Sequence, residues 1–282
     1  MKLLNMTARV FARLVDSVRG LGHQLINLLA RLGPYRLTAD IAFGEQARQR
    51  LDYYRYTGPA AAAERPLVLF IYGGGWQSGA KADYRFVAST LCDMGLDVVI
   101  ADYRLYPQVR FAQMLDDVCR SAQWLAANTP ARQPVFVMGH SAGAQLGALL
   151  CLNPALLARA GNLQDRLQGF IGLAGPYDFY PFTEAAHWDL FAPAADYPLS
   201  QAVNFVRADA VPLYLLHGED DRRVRRGHSK SLMEKVNAAG GRARREVYAS
   251  MGHVDIIVQF SALHRRNSEV VRHIAEFVRD PG

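Results

Sequence analysis

The sequence predicts an α/β fold: a doubly wound, mostly parallel central sheet with helices on both faces. Three observations carry it. Short runs dominated by apolar or β-branched residues recur at 66–72, 97–103, 134–138, 169–173 and 211–216. Each is too short for a helix and apolar on both faces, as a central parallel strand must be. Helical patterns alternate with these runs, and that alternation makes consecutive strands parallel.

Taken in order, residues 1–33 carry apolar side chains at heptad spacing. Leu4, Phe11, Val18, Leu25 and Leu32 form one row; Leu14, Leu21 and Leu28 form the other. Lys2, Arg9, Arg13, Asp16, Arg19 and Arg31 interrupt them too often for the apolar core of a signal peptide. Gly20 and Gly22 divide the segment into two helices, and Gly33-Pro34 ends it. The plain expectation is a helix packed on its own domain; three further roles suit such an appendage: a cap over the domain that follows, a basic amphipathic helix in peripheral contact with a membrane, or pairing with a second subunit as a homodimer.

Leu51–Tyr56 reads as the first strand, and an alanine-rich linker at 58–64 leads to Pro66–Tyr72. The latter ends in Gly73-Gly74-Gly75-Trp76. A helix at 84–94, the strand Asp97–Tyr103 and a helix at 113–127 follow. Pro134–Met138 is the next strand. It turns through Gly139-His140-Ser141-Ala142-Gly143 into a helix at 144–150. After Gly169–Leu173 the pattern dissolves between Asp178 and Ala210 into aromatic, proline-containing stretches, a lid-like insert of the kind that covers a site. Val211–Leu216, Arg245–Tyr248 and a closing helix at 261–278 complete the domain, which spans 34–282.

Composition narrows the class. With half of its 282 residues hydrophobic and 21% charged, the chain can bury one large core. Its 32 Lys+Arg against 26 Asp+Glu give a net charge of +6, densest at Arg222-Arg223-Val224-Arg225-Arg226. No basic stripe interleaved with aromatics is visible, so nucleic acid is not an expected partner. Cys92, Cys119 and Cys151 are odd in number and lie in apolar or helical contexts. They read as buried free thiols, which suits a reducing, cytoplasmic compartment. No apolar run reaches the length of a membrane span.

The strand–turn–helix around Ser141 is where chemistry enters. Alone, Gly-x-Ser-x-Gly also fits an ordinary glycine-rich turn. At the apex of a sharp strand-to-helix turn, however, a serine needs neighbours without bulk, and Gly139 and Gly143 supply them. A serine hydroxyl needs a base, and the base an orienting acid. Candidates for both follow late strands. Val211–Leu216 runs into His217-Gly218-Glu219-Asp220-Asp221, and Arg245–Tyr248 runs into Met251-Gly252-His253. Asp221 is preferred over Asp220, Glu219 and Asp178 because its spacing from His217-Gly218 and Val224 suits a turn into the next helix. His253 is preferred because His140 is the variable elbow position, His217 reads as a structural loop residue, and His264 and His273 fall in the closing helix. For an oxyanion, the N–H of Ala142 and those of Gly74 and Gly75 are the candidate donors. The glycine run lacks the Gly-Lys-Ser/Thr of a phosphate loop.

These motifs resemble those of bacterial α/β-hydrolases of the hormone-sensitive-lipase-like group, carboxylesterases related to feruloyl esterases and arylformamidases. The matching pieces are Tyr72-Gly73-Gly74-Gly75-Trp76, Asp102-Tyr103-Arg104-Leu105-Tyr106-Pro107, Gly139–Gly143, Gly172–Asp178, His217–Asp221 and Gly252-His253. They run in family order from about residue 40 onward. The resemblance implies an α/β-hydrolase fold with Ser141, Asp221 and His253 as triad and Gly74, Gly75 and Ala142 as oxyanion hole. It implies a small-molecule ester as substrate and no metal or organic cofactor. The usual His-Gly-Gly-Gly here has Tyr72 in the histidine place; that side chain braces the loop, so the glycine N–H groups still serve. Amide hydrolysis of the arylformamidase type uses the same residues. A binding protein on an inactive hydrolase fold is the reading from another class, and the presence of all three triad candidates speaks against it.

Overall fold

A computed structural model describes residues 25–59 and 64–281. Its centre is an eight-stranded sheet. The strands are β1 (Tyr35–Ala42), β2 (Arg50–Tyr56), β3 (Leu67–Ile71), β4 (Asp97–Ala101), β5 (Val135–His140), β6 (Leu167–Leu173), β7 (Leu213–Gly218) and β8 (Ala243–Tyr248). Their order is β1-β2-β4-β3-β5-β6-β7-β8, with β2 antiparallel to both neighbours and all other pairs parallel. The direction of winding reverses at β3 and β5, which lie side by side. Open α/β sheets place their crevice at such a point, beyond the carboxyl ends of the strands.

The apolar runs become the buried strands. Every residue of β3, β4 and β5 is buried, because helices cover both faces. These helices include α1 (Arg85–Asp93), α2 (Phe111–Asn128), α3 (Ala142–Leu152), α5 (Gly227–Ala238) and α6 (Glu269–Arg279), while α4 (Ala185–Leu190) lies in the segment 178–210. α3 is buried along its whole length, so its apolar residues show no one-sided stripe. Cys92, Cys119 and Cys151 are free and buried. No helix among the described residues is long and apolar enough to cross a membrane.

Three details differ from the sequence expectations. Tyr35–Ala42 is a strand that the sequence reading passes over; it pairs on one side only, with β2, and is mostly exposed. The closing helix at 261–278 is broken. The Ser268 side chain accepts from Val271 N–H at 3.2 Å and starts α6 at Glu269, leaving His264 outside it. Finally, the described part of the N-terminal segment does not bury its heptad rows. Residues 25–32 are helical, but Leu25, Leu28 and Leu32 are exposed, while Ile26 and Ala30, one turn apart, face the core. Asn27 ties this helix to the start of α1, donating to Asp83 O at 2.7 Å and accepting from Phe86 N–H at 3.2 Å. Residues 1–24, with the rest of both rows, lie outside the described residues.

Candidate active site

Ser141 stands between β5 and α3 with φ +55° and ψ −123°, a conformation that non-glycine residues rarely adopt. The turn holds it there. Ser141 N–H donates to Leu173 O at 2.8 Å, and Ser141 O accepts from Ala144 N–H at 3.0 Å. The flanking glycines are required by contact. A Cβ at Gly143 would stand 2.1 Å from Ile71 O, and one at Gly139 2.4 Å from Gly143 O, so helix, turn and β3 could not approach.

His253 reaches Ser141 from the loop after β8. Its Nε2 lies 2.8 Å from Ser141 Oγ, and its Nδ1 2.7 Å from Asp221 Oδ2. An ionised carboxylate only accepts, so Nδ1 carries the proton and Nε2 accepts from the serine hydroxyl. Asp221 is buried, and its other oxygen accepts the N–H groups of Arg223 and Val224, each at 2.9 Å. Burial alone would raise its pKa. Hydrogen bonds from His217, His253 and Val224 N–H outweigh burial and hold the carboxyl well below its ordinary range.

The rival acids sit elsewhere. Glu219 pairs with Arg226 at 2.9 Å, Asp178 lies 3.7 Å from Lys235 and bonds Ser231, and Asp220 is exposed. His217 is a strand residue rather than a loop one. It is the penultimate residue of β7 and fully buried, donating from Nε2 to Val224 O at 2.8 Å and standing 3.3 Å from Asp221 Oδ2. His140 donates from Nε2 to His253 O at 3.1 Å, which ties the elbow to the histidine loop. Burial first, and His253 second, push its pKa down to about 3, so it stays neutral.

Of the three candidate oxyanion donors, Ala142 follows Ser141 directly, Gly75 lines a cavity together with Ser141, and Gly74 precedes Gly75 in the loop after β3. Their N–H groups have no acceptor among the described residues. Gly74 has φ +136°, and a Cβ there would stand 2.0 Å from Ser78 O. Tyr72 does brace this loop. Its hydroxyl accepts from Arg48 Nη2 and donates to Asp102 Oδ1, both at 2.8 Å, and its ring stacks between Tyr84 and Tyr103. Arg48 also bonds Tyr103 O and Gly79 O, closing the loop from outside.

Beside Ser141 is a cavity of about 140 Å³. Gly75, Trp76 and Gln77 form one wall; Pro176, Phe179, Thr183, Glu184 and His187 form the second; Arg223, Val224 and His228 form the third. Trp76 donates to Gln145 Oε1 at 2.9 Å, and Gln145 passes on a bond to Ser200 O at 2.7 Å, joining the glycine loop to the insert through α3. Sequence reasoning missed Arg48, Gln145, His187, Arg223 and His228. Two left a local signal: Gln145, as a polar residue in an otherwise apolar helix, and Arg223, as part of the basic run Arg222–Arg226.

The comparisons agree with this architecture. The chain resembles the isoprenylcysteine alpha-carbonyl methylesterase ICME of Arabidopsis thaliana, at 25% identity over 78% of this chain and 57% of that protein. It resembles esterase LipQ of Mycobacterium tuberculosis at 27% identity, over 91% of this chain and 65% of that one. It thus spans about half to two thirds of these curated relatives. Among solved structures, a phosphonate-inhibited esterase B from Lactobacillus rhamnosis superposes with a TM-score of 0.77 at 19% identity, covering 97% of this chain and 93% of the other. That likeness is one of fold, the α/β-hydrolase fold. The BD-FAE family model matches residues 51–236, from β2 through the elbow and Asp221 into α5. A match over so much of the sheet, carrying the elbow at the β3/β5 crevice, means that the chain belongs to the BD-FAE family.

Proposed function

We propose that the protein is a serine carboxylesterase working through an acyl-enzyme. The observation that carries this reading is the unbroken hydrogen-bonded chain Ser141 Oγ–His253–Asp221, at 2.8 and 2.7 Å, opening onto a cavity. Ser141 Oγ attacks the ester carbonyl carbon while its proton passes to His253 Nε2. The oxygen that gains charge is received by the N–H groups of Gly74, Gly75 and Ala142. The intermediate collapses, the C–O bond to the alcohol breaks, and His253 returns the proton to the departing oxygen. Water repeats the sequence and frees the acid. Asp221 keeps Nδ1 protonated throughout and stabilises the imidazolium.

The cavity lies beside Ser141, where an acyl or alcohol part of the ester would sit. Residues 34–282 form the catalytic domain, and 178–210 its lid-like insert; the cavity residues Phe179, Thr183, Glu184 and His187 support that. For 1–33, the cap, the membrane contact and the homodimer remain the three roles, separated by acyl-chain preference of a truncated chain, vesicle co-sedimentation and ultracentrifugation. The site itself is tested with 4-nitrophenyl acyl esters and a fluorophosphonate. Ser141→Ala should abolish turnover and labelling in a folded protein; undiminished turnover would remove Ser141 as nucleophile. An N-formyl aryl amide run beside the esters separates arylformamidase chemistry, a reading favoured by 26% identity to a kynurenine formamidase of Salmo salar over 59% of this chain and 50% of that protein.

A further inference from the structure

The run Arg222–Arg226 is the densest positive charge in the sequence, and the triad leaves it unexplained. The fold places it in the loop after β7, immediately beyond Asp221. Arg226 is taken up by Glu219, but Arg223 turns to the cavity and lines it together with Ser141. Its Nη2 lies 3.5 Å from where a Cβ on Gly75 would stand, so the guanidinium rests against the loop that carries the free N–H groups. Its backbone is anchored by the bond from its N–H to Asp221 Oδ1 at 2.9 Å. The same carboxylate therefore fixes both His253 and the base of the arginine arm.

No carboxylate among the described residues pairs with the Arg223 side chain. Glu184, the acidic residue of the cavity wall, faces His187 at 3.5 Å, and Asp178 is engaged by Lys235 and Ser231. His228 uses Nδ1 on Asp178 O. A forked, permanently charged donor group thus stands beside the reacting serine without a protein partner. The chemistry such a group recognises is a planar anion, bound through two parallel N–H···O bonds.

We propose that Arg223 is a specificity-determining residue, and that the site takes esters carrying a carboxylate next to the scissile group. The proposal rests on the ester-hydrolase reading above and names its substrate class. A guanidinium that only reaches the rim would favour the anion weakly, by long-range attraction alone, and a lysine there would serve as well.

The test compares matched pairs on the full-length protein: 4-acetoxybenzoate against methyl 4-acetoxybenzoate, and monomethyl against dimethyl succinate. In at least one pair, Arg223→Gln should lower the ratio of kcat/KM for the anion to that for the neutral ester by about 10-fold. Arg223→Lys should lower it less, because it keeps the charge and loses the fork. The wild-type ratio should shrink with added salt. A ratio unchanged in Arg223→Gln for both pairs overturns the proposal, as does an equal loss for both members. Calorimetric titration with benzoate and benzamide decides it without catalysis: Arg223→Gln should weaken benzoate by about 10-fold relative to benzamide, and an unchanged ratio of affinities refutes it. If no ester is turned over, the esterase reading fails and takes the ester class with it, while the binding difference still assigns recognition of the anion to Arg223.

Discussion

Asp221→Asn is the sharpest probe of the site, because the two oxygens of Asp221 do different work. Oδ1 accepts the backbone N–H groups of Arg223 and Val224 at 2.9 Å each, while Oδ2 faces His253 Nδ1 at 2.7 Å. An asparagine must choose which of these to keep. If its amide nitrogen faced the two backbone donors, both would be left buried and unpaired, at about 1–3 kcal/mol each, or roughly 2–6 kcal/mol together. The amide oxygen therefore stays with the backbone, and the NH₂ takes the place of Oδ2. It then donates to His253 Nδ1, and the imidazole proton moves to Nε2, opposite Ser141 Oγ. In that tautomer His253 cannot accept the serine proton. The expected outcome is a fall in kcat of about 10⁴ with the fold intact, the size of effect that a wrong tautomer has in other triads. Steady-state kinetics on 4-nitrophenyl acetate reads the loss, and ¹⁵N shifts of the ring read the tautomer. Asp220→Asn is the control, because Asp220 is exposed and only its backbone N–H is engaged, by Met251 O. Activity of Asp221→Asn within about 10-fold of wild type would refute the reasoning. A full loss in Asp220→Asn instead would move the acid by one residue.

Tyr72→Phe should destabilise the protein by about 1–3 kcal/mol in denaturant unfolding and lower kcat more than it raises KM, because it deletes the hydroxyl between Arg48 and Asp102 beside the glycine loop; unchanged stability and kcat would show that ring stacking alone holds the loop. His140→Gln should flatten the pH dependence of stability. The folded His140 stays neutral down to about pH 3. Below its unfolded pKa of about 6.5 the unfolded chain therefore binds the extra proton, and wild-type stability falls with pH by up to about 1.4 kcal/mol per unit from this residue. Thermal unfolding between about pH 4.5 and 6.5 should show a steeper slope for wild type than for the variant; parallel slopes would mean that His140 titrates normally.

Much of this protein is written locally. The strands β3, β4 and β5 are legible because they are buried on both faces, and no polar position interrupts the runs at 67–71, 98–101 and 135–138. The elbow is legible because its demands fall within five residues, and the hydrogen-bonded chain Ser141–His253–Asp221 because its serine, histidine and acid each follow a strand in a set order. Strand β1 escaped notice because an edge strand with mostly exposed residues has little apolar signal, and the closing helix was overdrawn because one serine, Ser268, decided its start. What the tertiary structure alone decided depends on contacts between residues far apart in the chain. Arg48, Tyr72 and Asp102 meet across 24 and 30 positions, and Trp76 and Gln145 across 69. No periodicity encodes such meetings, since each hydrogen bond depends on where the whole sheet puts its loops. The same holds for the cavity wall. Charge density marked out Arg222–Arg226, but only the turn after β7 directs Arg223 toward Ser141 while Arg226 pairs with Glu219.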